Sequence, residues 1–121
     1  MKIKKFLPLI LIIFAVIVLL ALSAIFKKSE IILFFGDTCP HCKNVDKYLE
    51  ENNSRETIKF QELEVYKNKI NANLMAQKAK ICNIDSSNGI GVPFLFDGKN
   101  CLMGDEDIIN WFKAQSGTKN N

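Results

Sequence analysis

Four residues, Cys39-Pro40-His41-Cys42, hold the chemistry that this sequence can do. They form a C-x-x-C that follows the apolar run Ile31-Ile32-Leu33-Phe34-Phe35 and opens a segment with helical periodicity. Two thiols on the first turn of a helix can close a disulfide across that turn and reopen it. The unpaired amide groups of a helix N-terminus carry roughly half a positive charge, which stabilises a thiolate at Cys39 and lowers its pKa. His41, when protonated, adds a full charge beside it. A stabilised thiolate is a good leaving group, and a pair that favours its reduced state gives its disulfide away. The spacing therefore predicts thiol-disulfide exchange.

The same spacing also suits half of a tetrahedral zinc site. Against that reading, Cys82 and Cys101 lie far apart, neither belongs to a second C-x-x-C, and His41 sits inside the first pair. No metal site is predicted. Cys82 and Cys101 keep two readings of their own. As free thiols they would behave as small buried hydrophobes, one on an apolar helix row and one in a hairpin strand. As a second disulfide they would be structural, or a relay to Cys39 and Cys42, and an even cysteine count outside the cytosol favours pairing.

The elements that must position the first pair can be read along the chain. Glu30 to Phe35 is a continuous apolar run, as expected of a strand buried on both faces. Cys42, Val45, Tyr48 and Leu49 then fall at helical spacing, with Lys43, Asp46, Lys47, Glu50 and Glu51 opposite, and Asn52-Asn53-Ser54 ends that helix. A second strand is expected within Thr57 to Val65. Its alternation slips phase between Phe60 and Leu63, which a bulge or an early strand end would explain. Asn68 to Cys82 reads as a helix with one apolar row of Ile70, Leu74 and Ile81 and an adjacent one of Met75, Ala79 and Cys82. Asp85 to Gly89 is a loop, and Asp97-Gly98-Lys99 is the turn of a hairpin whose strands begin near Val92 and Lys99. A last helix opens near Asp105, where Asp105, Glu106 and Asp107 suit its positive end, and directs Ile108, Ile109, Trp111 and Phe112 inward. The order is βαβαββα, an α/β arrangement.

Between about Glu30 and Phe112 the chain resembles the thioredoxin-like superfamily. The resemblance is carried by a strand, a C-x-x-C at a helix start, and then Gly91-Val92-Pro93-Phe94-Leu95-Phe96, with Cys101-Leu102-Met103-Gly104-Asp105 similar to the turn that opens the last helix of glutaredoxin-like domains. It implies a mixed four-stranded sheet flanked by helices. It also implies a cis bond at Pro93 placed against the active cysteines, with the backbone of Val92 free to pair with an extended substrate. Pro40-His41 between the cysteines and Val92 before the proline look like the DsbA type of disulfide oxidase. Three departures limit how far the resemblance carries. The stretch from Cys42 to Pro93 is too short for the helical insertion of those oxidases, so the domain has minimal thioredoxin or glutaredoxin size. The buried acid that thioredoxins carry six positions before the first cysteine falls here on Leu33, and Thr38 replaces their usual aromatic.

The amino terminus sets the compartment. Phe6 to Phe26 holds 21 residues without a charge, and a helix of that length at about 1.5 Å per residue crosses a bilayer core of roughly 30 Å. Lys2, Lys4 and Lys5 precede the run and Lys27 and Lys28 follow it, which favours a cytoplasmic amino terminus and an extracytoplasmic domain. Ala21-Leu22-Ser23 before Ala24 offers a signal-peptidase site, so export after cleavage is the competing reading. The apolar run continues past that point, which favours a retained anchor.

The division expected is a transmembrane anchor or signal over 1–28, a thioredoxin-like domain over 29–116 and a disordered tail over 117–121. Only Lys27-Lys28-Ser29 would separate the anchor from the first strand, which would set the active site close to the membrane face. The whole chain is +3, yet five of its 16 basic residues lie in the first 28 positions; the rest holds 11 basic and 13 acidic residues, about −2. No basic face for nucleic acid is expected on such a domain.

The expected activity is that of a membrane-anchored protein thiol-disulfide oxidoreductase acting as a disulfide donor. Cys39 would be the exposed nucleophile, Cys42 the resolving thiol and His41 a stabiliser of the thiolate, with Pro40 beside them and Val92 and Pro93 in the substrate groove. No cofactor is needed, since the sulfur pair holds both electrons. Its partners would be protein thiols, the lipid bilayer and a membrane redox protein that restores the disulfide. A reductase or isomerase of the same fold, and a non-enzymatic binding module, remain as alternatives.

Overall fold

The computed structural model describes residues 2–25 and 30–118. Its elements are α1 (Ile3–Ile25), β1 (Ile32–Phe35), α2 (Pro40–Glu51), α3 (Ser54–Thr57), β2 (Gln61–Glu64), α4 (Lys69–Ile81), β3 (Phe94–Phe96), β4 (Cys101–Met103) and α5 (Asp105–Thr118). The sheet runs β2-β1-β3-β4, with β1 parallel to β2, antiparallel to β3, and β3 antiparallel to β4. This mixed, helix-flanked sheet has the thioredoxin-like arrangement, with the short α3 added between α2 and β2.

Side-chain alternation on the sheet divides the interior into two cores. Ile32 and Phe34 of β1 and Phe94 and Phe96 of β3 point to one face, where they meet Met75 and Ala79 of α4. Leu33 and Leu95 point to the other, against Val45 and Leu49 of α2 and Ile108 and Phe112 of α5. The phase slip between Phe60 and Leu63 has its cause here. Ile58 and Phe60 pack into the α2/α5 core before the ladder begins, whereas Leu63 and Val65 pack into the α4 core. The strand starts late, at Gln61, and the chain changes core as it enters.

α2 ends at Asn52 as expected, and Asn53, in a left-handed conformation (φ 48°) that asparagine tolerates, caps the short α3 that follows at once. Two expectations are corrected. Ile70 and Ile81 are 80% and 61% exposed, so the inward face of α4 is the Met75–Ala79 row. α5 extends through Gly117 and Thr118, into the expected tail. Phe26, the Lys27-Lys28-Ser29 linker and Lys119, Asn120 and Asn121 lie outside the described residues.

In α1 the stretch Ile3–Ala24 is 22 residues long and, after Lys4 and Lys5, wholly uncharged, and none of its most apolar window is buried. By length and composition it can cross a membrane, and a signal sequence would have the same properties. The linker joins the N-terminal end of β1 and the cysteines follow its C-terminal end. Four strand residues, about 13 Å, lie between them.

Cys82, the C-cap of α4, is disulfide-bonded to Cys101 at the start of β4, with their Cα atoms 6.1 Å apart. The bond ties α4 to the sheet at a separation of 19 residues. Closing a loop of that size in the unfolded chain corresponds to about 3 kcal/mol. Replacing both Cys82 and Cys101 with Ser should cost about 2–4 kcal/mol in chemical denaturation of the detergent-solubilised chain; an unchanged midpoint would show that the bond contributes nothing to stability.

Candidate active site

The C-terminal end of β1 delivers the chain into a tight turn in which the Cys39 N–H donates to the Gly36 carbonyl at 3.2 Å. Gly36 has no freedom to be another residue without rearrangement, because a Cβ there would run into the ring of Tyr66. Cys39 is then the N-cap of α2, with extended backbone, and Pro40 occupies the first helical position. A proline is suited to that position because its missing N–H would have had no intrahelical partner.

Cys39 and Cys42 are disulfide-bonded, with Cα atoms 5.2 Å apart. The Cys42 N–H donates to Cys39 Sγ at 3.1 Å, so sulfur takes the place that a serine or aspartate oxygen fills in an ordinary N-cap. Cys39 Sγ also lies 3.5 Å from the Val92 carbonyl oxygen. The Val92–Pro93 bond is cis and Pro93 is fully buried. The Pro93 carbonyl accepts from the Gly104 N–H at 3.1 Å, which joins the turn before β3 to the start of α5.

Exposure does not follow the expected pattern. Cys39 is 4% and Cys42 6% exposed, so Cys39 is not the open member of the pair. What distinguishes the two is position at the helix end: Cys39 sulfur receives an amide hydrogen bond and Cys42 sits one turn in.

His41 is 69% exposed and its Nδ1 lies 3.2 Å from Asp105 Oδ2. Asn44 Nδ2 donates to the same oxygen at 2.6 Å. These contacts, Asn44 first and His41 second, hold the Asp105 carboxyl below its ordinary range. On the other side of the site, Asp37 is ion-paired with Lys67, whose hydrogen bond lowers its carboxyl in the same way. Asp105 was expected only as a favourable charge at a helix start. The Gly104-Asp105 turn was its available signal, but the pairing with His41 spans 64 positions and has no local signature.

The structure thus brings Cys39, Pro40, His41, Cys42, Val92 and Pro93 to one end of the sheet. Cys82 and Cys101 do not join them. Cys101 pairs with Phe96 at the far end of β3, and Cys82 and Cys101 Sγ contact the carbonyls of Lys99 and Lys78.

No protein-family model and no curated protein matches the chain. Among solved structures it is similar to a glutaredoxin from Archaeoglobus fulgidus, at 21% identity over 68% of this chain and 84% of that one, with a TM-score of 0.46.

A carboxyl held below its ordinary range contributes stability above that range and loses it as pH falls through its folded value. The stability difference between the native chain and Asp105→Asn should therefore be largest near neutral pH and close as the pH drops below about 4. A difference that stays constant into acid, followed by denaturant titration at each pH, would show that the Asn44–Asp105–His41 cluster does not stabilise through the charge of Asp105.

Proposed function

We propose that the chain is a membrane-anchored thiol-disulfide oxidoreductase that donates the Cys39–Cys42 disulfide to thiols of exported proteins. The observation that supports it best is the bonded pair at the start of α2, with Cys39 Sγ accepting an amide hydrogen bond and lying against the Val92 carbonyl. After reduction the same amide and the helix N-terminus face a thiolate at Cys39, which favours the reduced pair and makes its disulfide a strong donor.

In the donor direction a substrate thiolate attacks Cys39 Sγ. The Cys39–Cys42 bond breaks and Cys42 leaves as a thiolate that takes a proton. A second substrate thiol loses a proton and attacks the substrate sulfur, and Cys39 departs as a thiolate. The substrate is oxidised by two electrons and the pair is reduced by two. The Val92 backbone aligns an extended substrate beside Cys39, as a strand added to an open edge would be. His41 adds positive charge near the sulfur when protonated, tempered by Asp105. The pair must then be reoxidised, and an α1 long and apolar enough to cross a membrane supports a membrane redox protein in that role.

The lysines before and after α1 support a domain on the extracytoplasmic side, where disulfides persist. Export after cleavage near Ala24 gives the same compartment without the anchor.

Cys42→Ala should trap mixed disulfides with client proteins through Cys39, whereas Cys39→Ala should trap almost none. Equal trapping by both variants on non-reducing gels would defeat the assignment of roles.

A further inference from the structure

The thiol of Cys42 must gain or lose a proton in every cycle, whichever way electrons flow. At 6% exposure it has little direct access to bulk water. It does line an open cavity of about 350 Å³, together with Leu33, Asp46, Arg55 and Glu62. The β1 positions that line this space, Leu33 and Phe35, are both apolar, and the register partner of Leu33 on β2 is Glu62.

Two of the carboxylates here, Asp46 and Glu62, are held by one cation. Arg55, on α3, donates through Nε and Nη2 to both oxygens of Glu62 at 2.8 Å, and through Nη2 to Asp46 Oδ1 at 2.5 Å. Glu62 has both oxygens committed to that fork. Asp46 has only Oδ1 in it; although the sequence sets it on the polar side of α2 and its side chain is 60% exposed, it lies one turn after Cys42 and lines the same cavity. The remaining charged groups of the cavity are Asp37, which is ion-paired with Lys67, and Lys43. His41 is turned to Asp105.

We infer that Asp46, fixed by the Arg55–Glu62 clamp, is the group that exchanges the Cys42 proton through this cavity. The inference rests on Cys39 and Cys42 being an exchanging pair. When a mixed disulfide on Cys39 is resolved, the Cys42 proton passes to the Asp46 carboxylate and the Cys42 thiolate attacks Cys39 Sγ. The Cys39–Cys42 bond forms, and the second sulfur leaves with the electron pair. In the donor direction the Asp46 carboxylic acid returns a proton to the departing Cys42 thiolate. Asp46 is the catalytic acid–base, and Arg55 and Glu62 are positioning residues.

The test uses the full chain in detergent micelles, with Cys39–Cys42 reduced and Cys82–Cys101 verified as bonded by mass spectrometry. A symmetric chromogenic aryl disulfide is the oxidant. Cys39 attack releases one aryl thiolate, and Cys42 attack on the resulting mixed disulfide releases the second, so the two steps appear as successive absorbance phases.

Asp46→Asn should leave the first phase within about twofold and slow the second by roughly tenfold or more, and Asp46→Glu should restore it to within about threefold. The second-phase rate of the native chain should be nearly flat from about pH 5.5 to 7, whereas in Asp46→Asn it should rise about tenfold per pH unit, as the fraction of a thiolate without an internal base does. A second phase in Asp46→Asn with native rate and profile overturns the inference, as does equal slowing of both phases. Should Asp46→Asn not fold, a tenfold rise per unit in the native chain overturns it alone. Absence of the first phase in the native chain sinks the exchanging pair itself, a different failure from loss of the Asp46 effect.

Discussion

The site depends on the burial of one four-residue strand. β1 is hydrogen-bonded to β2 on one side and β3 on the other, and its faces alternate between two cores, so neither its register nor its direction can slip. Because Ile32 and Phe34 are committed to one core and Leu33 to the other, the turn at Gly36 emerges at a fixed point, and Cys39 is set as the N-cap of α2 by geometry decided in the interior. α2 is itself fixed by Val45 and Leu49 beneath the same sheet. A thiol pair placed by a rigid strand and a rigid helix loses little entropy on closing or reopening, which is what a reversible disulfide requires.

The surroundings of the pair are asymmetric. On the Cys39 side lie a backbone amide, the Val92 carbonyl and the start of α5, a face built for an extended chain to lie against. On the Cys42 side lies a cavity whose walls carry Asp46, Arg55 and Glu62. In the proposed function the first face meets substrate sulfur, and in the inference that rests on it the second handles a proton. The second disulfide, Cys82–Cys101, stands at the opposite end of the sheet, where it ties α4 to β4.

Much of this was legible in the sequence because it is local. The C-x-x-C between an apolar run and a helical period specified the strand, the turn and the helix start, and Gly91-Val92-Pro93 marked the second side of the site. The slip at Phe60 to Leu63 announced an irregularity, although its physical meaning, a change of core, needed both faces of the sheet to be seen. The exposure of Ile70 and Ile81 was not legible, since helical period alone does not say which of two adjacent apolar rows meets the sheet. The burial of Cys39 was missed although the resemblance set the Val92–Pro93 turn beside it, because position at a helix start does not say how closely such a turn covers the sulfur. The His41–Asp105 contact and the Arg55 clamp join residues from different elements, and no spacing rule reaches across them.

The claim on which the account turns is that Cys39–Cys42 is a reversible pair and not a structural staple like Cys82–Cys101. Its reduction potential, measured by equilibrating the detergent-solubilised chain against thiol–disulfide buffers and quantifying each pair by alkylation and mass spectrometry, decides this most directly. The account predicts full reversibility at a potential towards the oxidising end of the range from about −270 to −120 mV. A Cys39–Cys42 value below about −300 mV, where stable structural disulfides lie, would contradict it.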